Sequence, residues 1–377
     1  MATTKLTSSM ARFRLFAGTF SILTATLLVL HPDLSFNPTM IGSMLLDGYN
    51  DESTIVSKNT LRPSQGRYDQ DDSLYNDRDL DLAVIGFPKT GTTTLMKSVL
   101  GQHEEINMMP YEYCDINTAN GGEKLLEFLK DKPLDEKRRK YGIKCPTIVR
   151  RPNAIDTLSK ISRSYTRLII GVRHPVLWFQ SFYNYRVAEV YRKKEDLSTI
   201  PDPNKILFKN IQWKEVSLSY ARFDMFLKQL AKVPLDDNEL KEMVLSDKLW
   251  PKRISPNNFK IFLYTTEQLL GDGSNSTRQF RFQEDLQHFL RLESPFPDIR
   301  GVHRSNENNA THPEYMDICS EKFDRLRRVL LRQGRISSRW ILKKFIKSDD
   351  VVVSDVDHFR ELLKTWGTDP CQKHKVE

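Results

Sequence analysis

The sequence predicts an α/β domain, a central parallel sheet with helices on both faces, running from about residue 82 to the C-terminus at 377. Three segments carry that expectation. Residues 82–87 (LAVIGF) are a nearly continuous apolar run, as a strand covered on both faces requires. A small-residue loop, Pro88-Lys89-Thr90-Gly91-Thr92-Thr93-Thr94, follows, and then Leu95, Met96, Val99 and Leu100 recur at helical spacing until Gly101. Residues 167–172 (RLIIGV) form a second strand, with Pro175 at the favoured first position of the next helix. Residues 259–265 (FKIFLYT) make a third, followed by Glu267-Gln268-Leu269-Leu270.

Composition agrees with a folded chain. Hydrophobic residues make up 39% and charged residues 28% of 377, which excludes disorder along the whole chain. Gly 16 and Pro 18 are too few for a fibrous or low-complexity protein, and four cysteines cannot replace a core. Residues 1–81 hold seven basic and ten acidic residues, so the net charge of +8 becomes +11 over residues 82–377. That surplus favours an anionic partner: nucleic acid, a phosphorylated or sulfated small molecule, or an acidic polysaccharide.

Residues 15–30 form an uncharged run preceded by Arg12 and Arg14. The expected organisation is a cytoplasmic tail (1–14), a signal-anchor transmembrane helix (15–31), a polar stem (32–81) and a lumenal catalytic domain (82–377). A cleaved signal peptide and a buried helix are the competing readings, but the residues after Leu30 offer no small-x-small cleavage site. Asn275-Ser276-Thr277 and Asn309-Ala310-Thr311 are glycosylation acceptors, as a lumenal domain would carry. An oxidising lumen would let the cysteines pair. Cys319 with Cys371 and Cys114 with Cys145 is the preferred pairing, and sequence alone leaves the connectivity open.

Strand, small-residue loop and helix, in that order, bring free backbone N–H groups and a positive helix end to one point. Gly91 allows close approach, the threonines offer hydroxyls and Lys89 supplies a mobile charge, so the P-loop-like element is suited to a phosphate or sulfate group. A nucleoside-triphosphatase loop needs Gly-x-x-x-x-Gly-Lys-Ser/Thr. Gly86 and Gly91 have that spacing, but Thr92 stands where the lysine belongs, which counts against a magnesium-dependent kinase.

Residues 87–95 (FPKTGTTTL) resemble the 5′-phosphosulfate loop of the sulfotransferases that use 3′-phosphoadenosine 5′-phosphosulfate (PAPS), most closely the Golgi carbohydrate branch with the heparan sulfate enzymes. Residues 173–186 (RHPVLWFQSFYNYR) are similar to that family's 3′-phosphate segment, with Arg173 after the strand, Pro175 two later and Ser181 eight later. His174 stands where the family usually has Asp. The resemblance implies the sulfotransferase fold, PAPS as co-substrate and no metal. It also implies donor contacts from Lys89, Thr90, Gly91, Thr92, Thr93, Thr94, Arg173 and Ser181.

The same resemblance puts the general base on Glu112, with His103 as the rival used by cytosolic members. It also brings Lys144, in YGIKCP, near the sulfuryl group, against a plain reading as a surface lysine at a strand end. Arg304 is a vague counterpart of the basic loop that closes the donor site. Helically spaced Phe282, Phe289 and Leu290, then Leu326, Val329 and Leu330, then Phe359, Leu362, Leu363 and Trp366 are expected to be core. The last helix should start at Ser354 or Asp355 and stop at Gly367.

The expected function is therefore sulfuryl transfer from PAPS to a hydroxyl acceptor, with a carbohydrate as the preferred acceptor, by a single-pass type II protein of the Golgi membrane. A P-loop nucleotide kinase and a non-catalytic glycan- or nucleotide-binding protein are the alternatives. No nucleic-acid motif is found, and the basic residues are not gathered with interleaved aromatics, so nucleic acid is not an expected partner.

Overall fold

The computed structural model describes residues 80–130, 140–161, 166–230, 259–270, 276–297 and 312–372. The chain divides into two units, Met1–Asp71 and Asp72–Glu377, and all described residues belong to the second. The anchor segment, the acceptor asparagines Asn275 and Asn309, and Arg304 lie outside them. Among the described residues no helix is long and apolar enough to cross a membrane.

Six parallel strands form one sheet: β1 (Leu82–Val84), β2 (Ile106–Met108), β3 (Lys140–Lys144), β4 (Arg167–Val172), β5 (Lys260–Thr265) and β6 (Val351–Val353), in the order β2-β3-β1-β4-β5-β6. Alternate residues enter two separate cores, as strand geometry dictates. Ala83, Leu168, Ile170 and Leu263 face one; Leu82, Val84, Ile169 and Phe262 face the other. The first core is covered by helices α3 (Pro152–Ile161), α4 (Pro175–Lys193), α9 (Asp324–Lys343) and α10 (Val356–Lys364). The second is covered by the segment after β1 and by α8 (Ser276–Leu290). The expected parallel sheet with helices on both faces is present.

Several elements depart from expectation in detail. β1 is ladder-paired over three residues, shorter than the apolar run, although Ile85 N–H still donates to Ile169 O at 3.1 Å. The helix after the loop is α-helical only at α1 (Thr92–Thr94). It widens to a π segment (Leu95–Val99) and tightens to a 3₁₀ turn (Leu100–Gln102), a change of pitch found often beside functional sites. β2 and β6 went unassigned in the sequence. Phe282, Leu290, Leu326, Leu330, Phe359, Leu363 and Trp366 are buried as expected, and Asp355 Oδ1 caps α10 by accepting from His358 N–H at 3.2 Å. Both disulfides follow the preferred pairing, Cys114–Cys145 and Cys319–Cys371.

The strand order places a topological switch at β1. Its successor segment leads towards β2 on one side, whereas the helix after β4 lies on the other, and a ligand crevice is expected beyond the carboxyl ends of these two strands. Lys89 follows β1, Lys144 ends β3 and Arg173 follows β4, so all three cations are delivered to that end of the sheet.

Candidate active site

The loop after β1 has its carbonyls engaged one after another. Thr90 Oγ1 donates to Phe87 O at 2.6 Å, Trp178 Nε1 to Pro88 O at 2.8 Å, Arg173 Nη1 to Lys89 O at 3.3 Å and Tyr264 OH to Thr90 O at 3.2 Å. Leu95 N–H closes the series on Gly91 O at 2.9 Å. Lys89 (φ 65°) and Gly91 (φ 81°) are both left-handed, and such alternation turns successive amides towards one side as an anion nest. With the carbonyls satisfied, the amides and the start of α1 are the groups left to meet an anion. Gly91 is required twice over, by its φ and because a Cβ would lie 2.7 Å from Leu269 Cδ2.

Thr90 departs from its expected role. It is fully buried and its hydroxyl is spent on Phe87 O, so it has only its backbone N–H to give a ligand. Thr93 is exposed, and its Oγ1 accepts from Lys144 Nζ at 2.7 Å.

Lys144 ends β3 as expected but is not a surface residue. It is 1% exposed, and besides Thr93 its Nζ pairs with Glu112 Oε1 at 2.5 Å. Glu112 is held there by its neighbours. Tyr113 N–H donates to Lys144 O at 2.9 Å, and the Cys114–Cys145 disulfide joins the next residue of each segment. The Glu112 side chain remains half exposed, open to a second molecule. Burial, then Arg173 and Lys144, hold the Lys89 ammonium below the ordinary lysine value. The three cations therefore lie near enough for their charges to repel.

On α4, Trp178 reaches Pro88 O, and Tyr185 lies under Lys89 Nζ at 4.8 Å from the ring centroid. Ser181 lies between them on the same helical face, three residues after Trp178 and four before Tyr185, which puts it on the loop side. His174 is structural. Its Nδ1 accepts from Val176 N–H at 3.3 Å, its Nε2 faces Thr365 O and Thr368 O at 3.2 Å each, and burial keeps its imidazole below the ordinary histidine value.

His103 is also structural. It is 1% exposed, accepts at Nδ1 from Glu105 N–H at 3.1 Å, faces Ser294 O with Nε2 at 2.9 Å, and packs edge-on against Phe296. A ring committed at both nitrogens has no lone pair for an acceptor hydroxyl. The structure thus brings together Lys89, the threonine loop, Glu112, Lys144 and Arg173, whereas Ser181 is placed only by its helical spacing from Trp178 and Tyr185. Trp178, Tyr185 and Tyr264 were missed in the sequence. Their only signal is spacing for the first two and the end of a strand for the third.

Chemically, this arrangement can hold a doubly charged anion among three cations and present a carboxylate beside it. No protein-family model matches the chain, and no curated protein matches it by sequence. Among solved structures it is similar to a sulfotransferase from Alicyclobacillus acidocaldarius, at 13% identity and a TM-score of 0.42, over 70% of this chain and 96% of that one. It is also similar to the sulfotransferase domain from the curacin biosynthetic pathway, at 14% identity and a TM-score of 0.33, over 60% of this chain and 79% of that one.

Proposed function

We propose that the chain transfers a sulfuryl group from 3′-phosphoadenosine 5′-phosphosulfate to a hydroxyl acceptor, a carbohydrate in the preferred case. The observation that carries this reading is the contact between the two anion segments: Arg173 Nη1 donates to Lys89 O at 3.3 Å, so the loop after β1 and the segment after β4 adjoin at the switch point. One nucleotide with a phosphate at each end of its ribose suits a site with two such adjoining segments. The residues fit that group, because the loop carbonyls are all occupied and the local charge is strongly positive.

In this reading Lys89, the amides of residues 90–94 and the Thr92–Thr94 hydroxyls hold the 5′ end, and Arg173 with Ser181 holds the 3′-phosphate. When bound, the donor supplies an activated sulfuryl group on a phosphate leaving group. Lys89 meets the negative charge that develops on that phosphate, and the nest amides share it. Glu112 accepts the proton of the acceptor hydroxyl, and Lys144 orients its carboxylate. The two disulfides support an oxidising compartment, in keeping with a Golgi-lumenal domain behind a membrane anchor.

The test is calorimetric binding of adenosine 3′,5′-bisphosphate together with transfer of radiolabelled sulfate to a panel of hydroxyl acceptors. Wild type should do both, and Lys89→Ala and Arg173→Ala should lose affinity. Binding without transfer by the wild type would favour a non-catalytic binding protein, and no binding would end the proposal.

A further inference from the structure

The two lysines of the candidate site are held in different ways. Lys144 Nζ is matched by a carboxylate, Glu112 Oε1 at 2.5 Å. The charged side chains that bear on Lys89 are Arg173, after β4, and Lys144, at the end of β3, both of them cations. What lies against its ammonium is an aromatic face: Lys89 Nζ sits over the Tyr185 ring of α4, 4.8 Å from the centroid.

The segment 173–185 fixes Lys89 at three points. Trp178 Nε1 donates to the preceding carbonyl, Pro88 O, at 2.8 Å, Arg173 Nη1 donates to Lys89 O at 3.3 Å, and Tyr185 receives the tip of the side chain. Tyr185 is 39% exposed, so burial in the core does not account for a large aromatic here. A second cation approaches the same ring, the Arg186 guanidinium at 5.4 Å. That charge is already answered, by Glu189 Oε2 at 2.6 Å and by Glu215 Oε2 at 3.3 Å, the latter presented from a left-handed turn. The attraction of the Tyr185 face therefore falls chiefly to Lys89.

A ring and a carboxylate hold a cation with different consequences. The quadrupole of a ring attracts the ammonium but carries no net charge. A carboxylate in its place would cancel the lysine and repel an incoming dianion. We propose that Tyr185 is a positioning residue for Lys89: its face keeps the ammonium charged and aimed at the anion nest without cancelling its field. Burial and the two neighbouring cations favour loss of the Lys89 proton, and the ring opposes them. The inference rests on the sulfuryl-transfer reading and deepens it, because Tyr185 acts on the donor only through Lys89.

The test reads Lys89 in two ways on the full chain. In the free protein, lysine side-chain NMR follows its ionisation, the signal being assigned by its absence from Lys89→Arg. Tyr185→Leu removes the face and should lower the midpoint by about half a pH unit, and Tyr185→Phe, which keeps the face, should restore the wild-type value. Difluorophenylalanine at position 185 has nearly the same shape and a weaker face, so its midpoint should fall between those of the Phe and Leu variants. In calorimetry with adenosine 3′,5′-bisphosphate, Tyr185→Leu should bind about two- to fivefold more weakly than wild type. Its affinity should also begin to fall at a lower pH. A tyrosine that served packing alone would leave the midpoint in place. An unmoved midpoint or unchanged affinity in Tyr185→Leu, Phe and Leu variants that behave alike, or a difluoro form that matches Tyr185→Phe overturns the proposal. Failure of the donor reading would show separately, as absent bisphosphate binding by the wild type, and the titration of the free protein would still decide the role of the ring.

Discussion

Lys144 Nζ lies 2.5 Å from Glu112 Oε1 and 2.7 Å from Thr93 Oγ1, so one buried ammonium ties the proposed base to the phosphate loop. A base held in this way is positioned before the acceptor arrives. Glu112→Gln keeps the shape and removes the proton acceptor. It should lower transfer by about 10²–10⁴-fold and leave bisphosphate affinity within about twofold. Transfer at the wild-type rate by this variant would remove Glu112 from the mechanism.

The Cys114–Cys145 bond extends the same argument. It encloses 31 residues of sequence separation and joins the residue after Lys144 to the second residue after Glu112. Cys114→Ser with Cys145→Ser should cost roughly 2–5 kcal/mol of stability, read from denaturant unfolding. At a temperature where the variant remains folded, transfer should fall further than bisphosphate affinity, because the bond holds the Glu112 segment and not the Lys89 loop. Equal losses in both would show the bond to be structural only.

The features legible in the sequence are those imposed by burial and by short-range chemistry. Strands β4 and β5 are covered on both faces and so appear as apolar runs, and the Lys89 loop follows a strand by necessity of the phosphate geometry. β2 is three residues with a polar one in the middle, too short for any periodicity to show. The burial of Lys144 was invisible, since its partners Thr93 and Glu112 are 51 and 32 residues away. Glu215 could not be read either. Lys-Glu is a solvated pair in most contexts, and only the backbone shows it in a left-handed turn facing three arginines.

Gly171 offers a test of the loop that touches no charged group. It lies in β4, where an added Cβ would meet Thr90 Oγ1 at 2.7 Å and the Tyr264 ring at 2.6 Å. Both of those side chains fasten the loop, Thr90 to Phe87 O and Tyr264 to Thr90 O. Gly171→Ala should therefore push the nest out of shape, costing roughly 1–3 kcal/mol of stability. Bisphosphate affinity should fall at least about tenfold, measured where the variant is still folded. Unchanged affinity would show that the loop is not the anion site.

Lys89 makes binding depend on pH with a defined sign. Burial, Arg173 and Lys144 hold its ammonium below the ordinary lysine value of 10.5 in the free protein. Protonation of this group therefore works against the fold, and the free protein gains stability as pH rises from the depressed value towards 10.5. A bound dianion reverses the balance by favouring the ammonium, so the complex holds more proton than the free protein. Bisphosphate affinity is full below the free-protein value of Lys89 and falls as pH rises through it, by at most about tenfold per unit. Above pH 7 the ligand phosphates are largely ionised, since their second ionisation lies near 6, so the slope there reports on the protein. Lys89→Arg should flatten it, because a guanidinium does not titrate in this range. Lys89→Met should stabilise the free protein at neutral pH while abolishing binding. An identical slope in wild type and Lys89→Arg would assign the proton to another group and leave the lysine without its part in holding the anion.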